Sequence, residues 1–357
     1  MSTIAILNVK FSHTSGGAEI LGQALVRELE KRNHEVHLLE LPLVFHPKES
    51  LLNQVAFWRS FSVERALGKR VDLIIATKFP TYYIRHSLKS IWLIHQHRQI
   101  YDLFGTRYSD FSDDPRDEQL RHMLTDGDIK VIGEADYVSA ISATVANRLH
   151  HYCDIDASVL YPPLPLGSRY YNSPADNYIL SVGRLVGIKR VDLAIKALSI
   201  VHPFVKLRIV GIAEDPLIMD YYRAEINRLG LSTRVEFLGR VSDEELLELY
   251  SRCLAVYYAP YDEDYGFVTL EAFASAKPVI TASDSGGTLE FVRHMQNGLV
   301  LSPDPDTIGH AINSLIANPD LNNEMGRAGR QFICDSGLLG SSWDAVINSL
   351  LSPIGRR

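Results

Sequence analysis

Apolar, strand-like runs alternate with amphipathic stretches along the whole chain, and this alternation restricts the fold more than any single motif does. Two segments show the full plan. The first runs IAILNV, a loop ending in Gly16 and Gly17, AEILGQALVRELEKRN and then HEVHLLEL; the second runs YILSVG, RLVGIKR, VDLAIKALSIVH and VKLRIVG. In the first helix Ile20, Leu21, Ala24, Leu25, Val26 and Leu29 form an apolar stripe, with Arg27, Glu28, Glu30 and Lys31 opposite. Both units read as crossovers between parallel strands. Further strands follow in VDLIIAT, SIWLIHQ, YVSAIS, VEFLG, LAVYYAP, PVITAS and LVLSP, so the expectation is an α/β protein with two doubly wound domains.

A chain of 357 residues exceeds the size at which one core keeps growing. Four prolines in YPPLPLGSRYYNSPADN (Pro162, Pro163, Pro165 and Pro174) interrupt all periodicity and put the linker at about residues 161 to 176. The expected domains are 1–165 and 166–357. The last amphipathic piece, SSWDAVINSLLS at 341–352, fits either its own domain or a return to the first. A formal charge of −7 argues against a nucleic-acid partner. The N-terminal run has no basic region and is broken by Asn8 and Lys10, so it reads as a buried strand rather than a signal peptide. No stretch reaches the length of a membrane span. Cys153, Cys253 and Cys334 are scattered, which suits a reducing compartment and semi-buried, inert thiols.

In open parallel sheets ligands bind where strands end at their carboxyl termini. Four loops therefore matter: Ser12 to Gly17, His95 to Arg98, Arg184 to Lys189, and Tyr261 to Gly266. In the last of them EDYGFVTLE places Glu263 in the loop and Glu271 about one turn into a helix that Gly266 opens. The N–H groups of Gly266, Phe267 and Val268 then face the same space, backed by the positive end of the helix dipole. Carboxylates accept from sugar hydroxyls and a helix N-terminus receives phosphate, which together is the chemistry of a nucleotide-sugar. The plainer reading is a helix with acidic residues near its start. In SVGRLVGIKRVD, Arg184 and Lys189 can neutralise a diphosphate without metal, arginine as a fork and lysine as a point charge; the alternative is solvated surface.

Other signals are weaker. Gly16 and Gly17 allow close backbone approach to a ligand at a helix start, but the strand is followed by Lys10, Phe11, Ser12 and His13, which is no dinucleotide fingerprint. His95 and His97 alternate at the end of a strand; His95 reads equally as a hydroxyl-orienting imidazole and as a structural one, and His97 reads as structural. Of the Asp-x-Asp pairs, Asp154/Asp156 and Asp304/Asp306 look like turns, and Asp262/Asp264 overlaps the two-glutamate motif without completing a cation cage. Gly286 and Gly287 give another turn, for a ligand or merely for the chain. No nucleophile elbow or phosphate loop of the nucleotidase type is present.

On these residues the chain resembles the family 4 retaining glycosyltransferases, of GT-B fold, over nearly its whole length. SVGRLVGIKRVD is similar to the family's VGRL-x-x-x-K-G element, EDYGFVTLE to its E-x7-E, and FLGRVSDEELLELYSRC, KPVITASDSGGTLEFV and QNGLVLSP to the surrounding segments. The resemblance implies two Rossmann-like domains facing across a cleft, and metal-independent, front-face transfer of a hexose from a nucleotide-diphospho-sugar to a sugar, lipid-linked or small hydroxyl acceptor. It implies that Arg184 and Lys189 hold the diphosphate, Glu271 the ribose, and Glu263 with the N–H groups of Gly266, Phe267 and Val268 the hexose. Val241 would lie beside the base, Gly16 and Gly17 near the phosphates, and His95 near the anomeric carbon. No cofactor or metal is expected, and the expected location is cytoplasmic or at the inner face of the membrane. Two departures stand out: Asp264-Tyr265 where the family has Gly-Phe, and Arg190 where the lysine is usually followed by glycine. HPKESLLNQVAFWRSFSVERALGKR mixes Phe57, Trp58 and Phe61 with five basic residues, which fits peripheral membrane contact or an ordinary acceptor-side helix. The alternatives in function are a nucleotide-sugar 2-epimerase of the same fold and a non-catalytic nucleotide-sugar-binding protein.

Overall fold

The computed structural model describes residues 1–10, 16–339 and 342–356. Two compact units divide the chain, one formed by Met1–Pro165 with Ser342–Arg357 and the other by Leu166–Ser341.

The first unit contains strands β1 (Thr3–Lys10), β2 (Glu35–Pro42), β3 (Leu73–Lys78), β4 (Lys89–His95), β5 (Tyr137–Ala140) and β6 (Ser158–Val159). They pair in parallel in the order β2-β1-β3-β4-β5-β6, with Ile4 opposite both Val36 and Leu73. Its helices are α1 (Gly17–Lys31), α2 (Ser50–Ser60), α3 (Val63–Leu67), α4 (Pro115–Ile132) and α5 (Ala143–Cys153). β3 is buried along its whole length, as expected of a parallel strand covered by helices on both faces. The second unit contains α6 (Val191–Ala197), α7 (Pro216–Arg228), α8 (Asp243–Arg252), α9 (Phe267–Ala274), α10 (Pro305–Ala317) and α11 (Pro319–Asp335) around a second parallel sheet. That sheet has the order β12-β11-β10-β7-β8-β9, from β7 (Tyr178–Val182), β8 (Lys206–Val210), β9 (Val235–Gly239), β10 (Ala255–Tyr257), β11 (Val279–Ala282) and β12 (Gly298–Leu301).

Eleven strands coincide with the apolar runs read from the sequence; the addition is β6, whose two exposed residues carry no periodicity. The helix expected through His202 stops at Ala197. Its continuation peels away, and there the Arg234 guanidinium donates to the carbonyls of Leu198, Val201, His202 and Val205. Of the two placements left open for the last amphipathic piece, the return to the first unit is the one found. The final helix α12 (Trp343–Leu350) belongs to the first unit: Val346, Ile347 and Leu350 are buried, Trp343 meets Trp92 edge-on at 5.9 Å, and the Ser90 hydroxyl donates to the Leu350 carbonyl. An ion pair between Arg32 and Asp344 fastens its start.

In the first unit three phenols converge on one buried carboxylate. The hydroxyls of Tyr82, Tyr83 and Tyr101 donate to Asp128 at 2.7, 2.7 and 2.9 Å. Burial pushes the Asp128 pKa up to about 6, and the three donors offset only part of that. A carboxyl whose pKa is raised on folding stabilises the fold while protonated and ceases to do so as pH rises through the folded value. Between pH 4 and 7 the wild-type unfolding free energy should therefore fall by about 2 kcal/mol relative to Asp128→Asn. Parallel pH profiles of the two proteins in denaturant titrations would contradict this.

Candidate functional site

Strand order reverses at β7, which has β8 on one side and β10 on the other. Loops leaving such neighbours at their carboxyl ends diverge and leave a crevice between them. The loop after β7 carries Arg184 and Lys189, and the loop after β10 carries Glu263.

Backbone packing steers the first loop. Gly183 and Gly211, at the ends of β7 and β8, have φ of +142° and +140°. A Cβ at Gly211 would stand 1.8 Å from the Gly183 carbonyl oxygen, so only glycine permits this approach. The chain then makes a short turn over Gly187–Lys189 and enters α6. Lys189 Nζ donates to the Tyr258 hydroxyl at 3.1 Å, lies 5.3 Å from the centre of that ring, and pairs with Glu263 Oε2. Both charged side chains are largely buried, at 16% and 19% exposure. An ammonium has three donors, and these contacts use two. Lys189, Arg184, Gly183 and Tyr258 line a small open recess. Arg184 is half-exposed, and its Nη1 donates to Glu214 Oε1 at 3.0 Å.

The acidic loop is held by its backbone. The Glu263 N–H donates to the Ser285 carbonyl at 3.2 Å, and the Glu263 carbonyl accepts from the Gly287 N–H at 2.7 Å. Added Cβ atoms at Gly286 and Gly287 would fall 2.6 Å from the carbonyl oxygens of Glu263 and Asp264. This glycine pair therefore serves the close approach of two loops. Gly266, at φ +83°, turns the chain into α9, where a Cβ would crowd Thr288 and Tyr258. The N–H groups of Phe267 and Val268 belong to the first turn, where donors have no acceptor within the helix. α9 is buried from Val268 to Ala274, and Glu271 with it. Tyr250 Oη donates to Glu271 Oε2 at 2.6 Å. Burial raises the Glu271 pKa above the usual carboxylate value, against the lowering effect of the neighbouring Tyr250 and Tyr170 phenols.

Arg190 does not face outward. Its guanidinium is 4% exposed and bonded throughout, to the carbonyls of Ala259 and Pro260 and, as a two-toothed pair at 2.6 and 2.8 Å, to Asp284. Sequence reasoning missed this role, and it missed Tyr258 and Tyr250, because the partners lie 21 to 94 residues apart.

The remaining candidates lie elsewhere. Val241 follows β9, half-buried. Gly16, Gly17 and His95 belong to the first unit. Of the loop Ser12 to Gly17, only the two glycines are among the described residues, and the Gly16 N–H is taken by Glu19 Oε2 at 2.8 Å. Burial opposes ionisation of Glu19, yet Lys78, 3.1 Å away and itself buried, and the Gly16 N–H hold its pKa below the usual range. His95 Nδ1 lies 2.8 Å from the Gln96 carbonyl; a carbonyl only accepts, so this nitrogen carries the proton. His97 is buried among Phe45, Phe79 and Phe111, and burial lowers its pKa to about 3. Asp154 and Asp304 are helix caps, and among the described residues no three His, Cys, Asp or Glu side chains stand together as a cation site. In the aromatic-basic segment Lys48, Arg59 and Lys69 pair with Asp117, Glu134 and Glu35, and Trp58 is buried while Phe57 is exposed. No described helix is long and apolar enough to cross a membrane. Cys153 and Cys253 are fully buried and Cys334 is exposed, in place of three semi-buried thiols.

Residues 171–332 match the family model of the glycosyl transferases group 1. The chain is 30% identical over 223 residues to the alpha-1,3/1,6-mannosyltransferase of Homo sapiens, a match covering 56% of this chain and 53% of that protein. It thus spans about half the length of that relative. It is 22% identical to the N-acetyl-alpha-D-glucosaminyl L-malate synthase of Bacillus anthracis over 89% of both chains. HepE of Anabaena, solved with UDP and glucose, superposes with a TM-score of 0.74 at 20% identity, over 98% of this chain and 99% of that one. The sucrose-phosphate synthase of Thermosynechococcus elongatus superposes with a TM-score of 0.77 at 19% identity, over 100% and 98%. The fold is GT-B.

The Tyr250–Glu271 contact predicts a pH-dependent stability defect. Tyr250→Phe should lower the unfolding free energy by about 2 kcal/mol at pH 8, because it removes a donor from a buried carboxylate. The deficit should narrow toward pH 4, where Glu271 is protonated in both states. A deficit that does not change with pH would show that the carboxylate is satisfied by other groups.

Proposed function

We propose that this chain, which carries a glycosyl transferases group 1 domain at residues 171–332, is a retaining glycosyltransferase that moves a hexose from a nucleotide-diphospho-sugar to a hydroxyl acceptor without a metal ion. One observation carries the reading. A partly buried lysine and a partly buried glutamate are in direct contact at the point where strand order reverses, beside the start of a helix. Phosphate and sugar hydroxyls are the ligands that such a pair, taken together, can receive. The names of the relatives support the reading, as does the binding of UDP and glucose by HepE.

In this reaction positive charge grows on the anomeric carbon and negative charge on the leaving diphosphate. Lys189 and Arg184 stand ready as the countercharge, and the first-turn N–H groups of α9 add fixed dipoles that need no reorganisation. Glu263 orients the hexose by accepting from its hydroxyls, and Glu271 does the same for the ribose. For retention, an oxygen of the leaving phosphate takes the acceptor's proton on the face of departure, so no side-chain nucleophile is required.

A thermal-shift screen of nucleoside diphosphates and their sugars identifies the donor; a ligand at a hundred times its Kd adds about 2.7 kcal/mol. Nucleotide release should require an acceptor, which separates transfer from 2-epimerisation, and should persist in excess EDTA. Loss of activity on chelation would refute the metal-free chemistry. Lys189→Ala and Glu263→Ala should remain folded by circular dichroism and lose about a hundred- to a thousand-fold in kcat. Near-normal turnover in both would refute this site.

A further inference from the structure

Arg190 occupies a backbone conformation, φ +51°, in which side chains are uncommon. Something must offset that cost, and its contacts show what does. Nε donates to the Ala259 carbonyl and Nη2 to the Pro260 carbonyl, both at 2.8 Å, while Nη1 and Nη2 grip the two oxygens of Asp284. The Tyr257 hydroxyl donates to the Arg190 carbonyl at 2.8 Å, and the Tyr261 ring lies 5.8 Å from the guanidinium.

These partners come from the end of β10 and from the loops after β10 and β11, and Arg190 itself from the loop after β7; the three strands are adjacent in the sheet. Each loop is also tied to the next through the backbone. The Tyr261 N–H donates to the Ile188 carbonyl at 2.9 Å, and the Asp262 N–H to the Asp284 carbonyl at 2.8 Å. Arg190 follows Lys189 directly, and Pro260 precedes Glu263 by three residues. The two side chains of the ion pair therefore hang on loops that one guanidinium joins.

We infer that Arg190 is a positioning residue: with Asp284 it clamps the three loops and fixes where Lys189 stands relative to Glu263. This inference rests on the donor-site reading above. A planar fork suits the task, because its bidentate pair fixes direction as well as distance, whereas a lysine would supply a point charge. The Arg190 guanidinium is buried and its donors are taken up within the protein. It acts by holding the phosphate-facing and hexose-facing groups at one separation, and a misplacement of about 1 Å costs roughly a hundred-fold in rate.

The test uses the full chain with Arg190→Gly, Asp284→Asn, the double variant and Arg190→Lys. Glycine adopts the observed φ without strain, so Arg190→Gly removes the clamp and keeps the backbone path. With the donor found by the screen, Arg190→Gly and Asp284→Asn should each lower kcat about ten- to a hundred-fold and leave donor KM within about threefold. The double variant should be no slower than the slower single one, and Arg190→Lys should not restore the rate. Amide exchange at Tyr261 to Glu263 should quicken in Arg190→Gly. A kcat retained within about twofold, effects that multiply in the double variant, or unchanged exchange at these amides would each overturn the inference. Exchange needs no substrate. A wild-type chain that turns over no donor would sink the donor reading, and the clamp would still stand or fall on exchange.

Discussion

Reversal of strand order at β7 is the constraint from which the site in the second unit follows. Every pair in this sheet is parallel, so every strand delivers its following loop to the same edge. Successive crossovers on opposite sides of β7 then leave two loops from neighbouring strands with nothing between them. In this chain one loop carries cations and the other a carboxylate, and they meet through Lys189 and Glu263. The glycines at the strand ends serve the same arrangement. Gly183 and Gly211 let β7 and β8 close on each other, and Gly286 and Gly287 let the β11 loop support the acidic one.

Three buried carboxylates in this molecule show how the neighbouring donor decides the outcome of burial. Glu19 has the buried ammonium of Lys78 beside it, and its pKa is depressed although burial is the largest single influence on it. Asp128 and Glu271 have phenols alone, and their pKa values rise. A neutral donor returns part of the lost hydration and cannot return the lost charge interaction. Glu271 thus sits where hydroxyl donors, and not cations, are its partners.

The fold was legible because its signals are local. Strand runs and helix stripes can be counted within a dozen residues, and eleven strands are in place on that basis. The linker was visible because prolines cluster there. What the sequence hid lies in contacts between distant segments. Arg190 stood out only as a departure from the family's glycine, and its direction inward is set by Asp284, 94 residues away. Tyr258 and Tyr250 carried no signal in the sequence, and only their hydroxyls, at Lys189 and Glu271, set them apart. The last helix could be recognised as amphipathic but not assigned to a unit, since its partners Trp92 and Ser90 precede it by some two hundred and fifty residues. Glu263, Lys189 and Glu271 were legible as types and spacings, and the pairing between the first two was not.

The Lys189–Glu263 pair also bears on how the proposed reaction favours an intact donor. Two largely buried charges are costly to leave alone, and here they pair with each other. In the proposed reaction a diphosphate that draws the ammonium toward itself would weaken that pair and leave Glu263 with the neutral Tyr258 hydroxyl in place of a countercharge. The hexose hydroxyls, donating to Glu263, remove that penalty. A nucleoside diphosphate alone offers the lysine a new partner and offers the glutamate none. On the proposed reading the two halves of the donor would be coupled through one ion pair, and transfer of the hexose to the acceptor would undo the coupling. The spent nucleotide would then be held less tightly than the donor that delivered it.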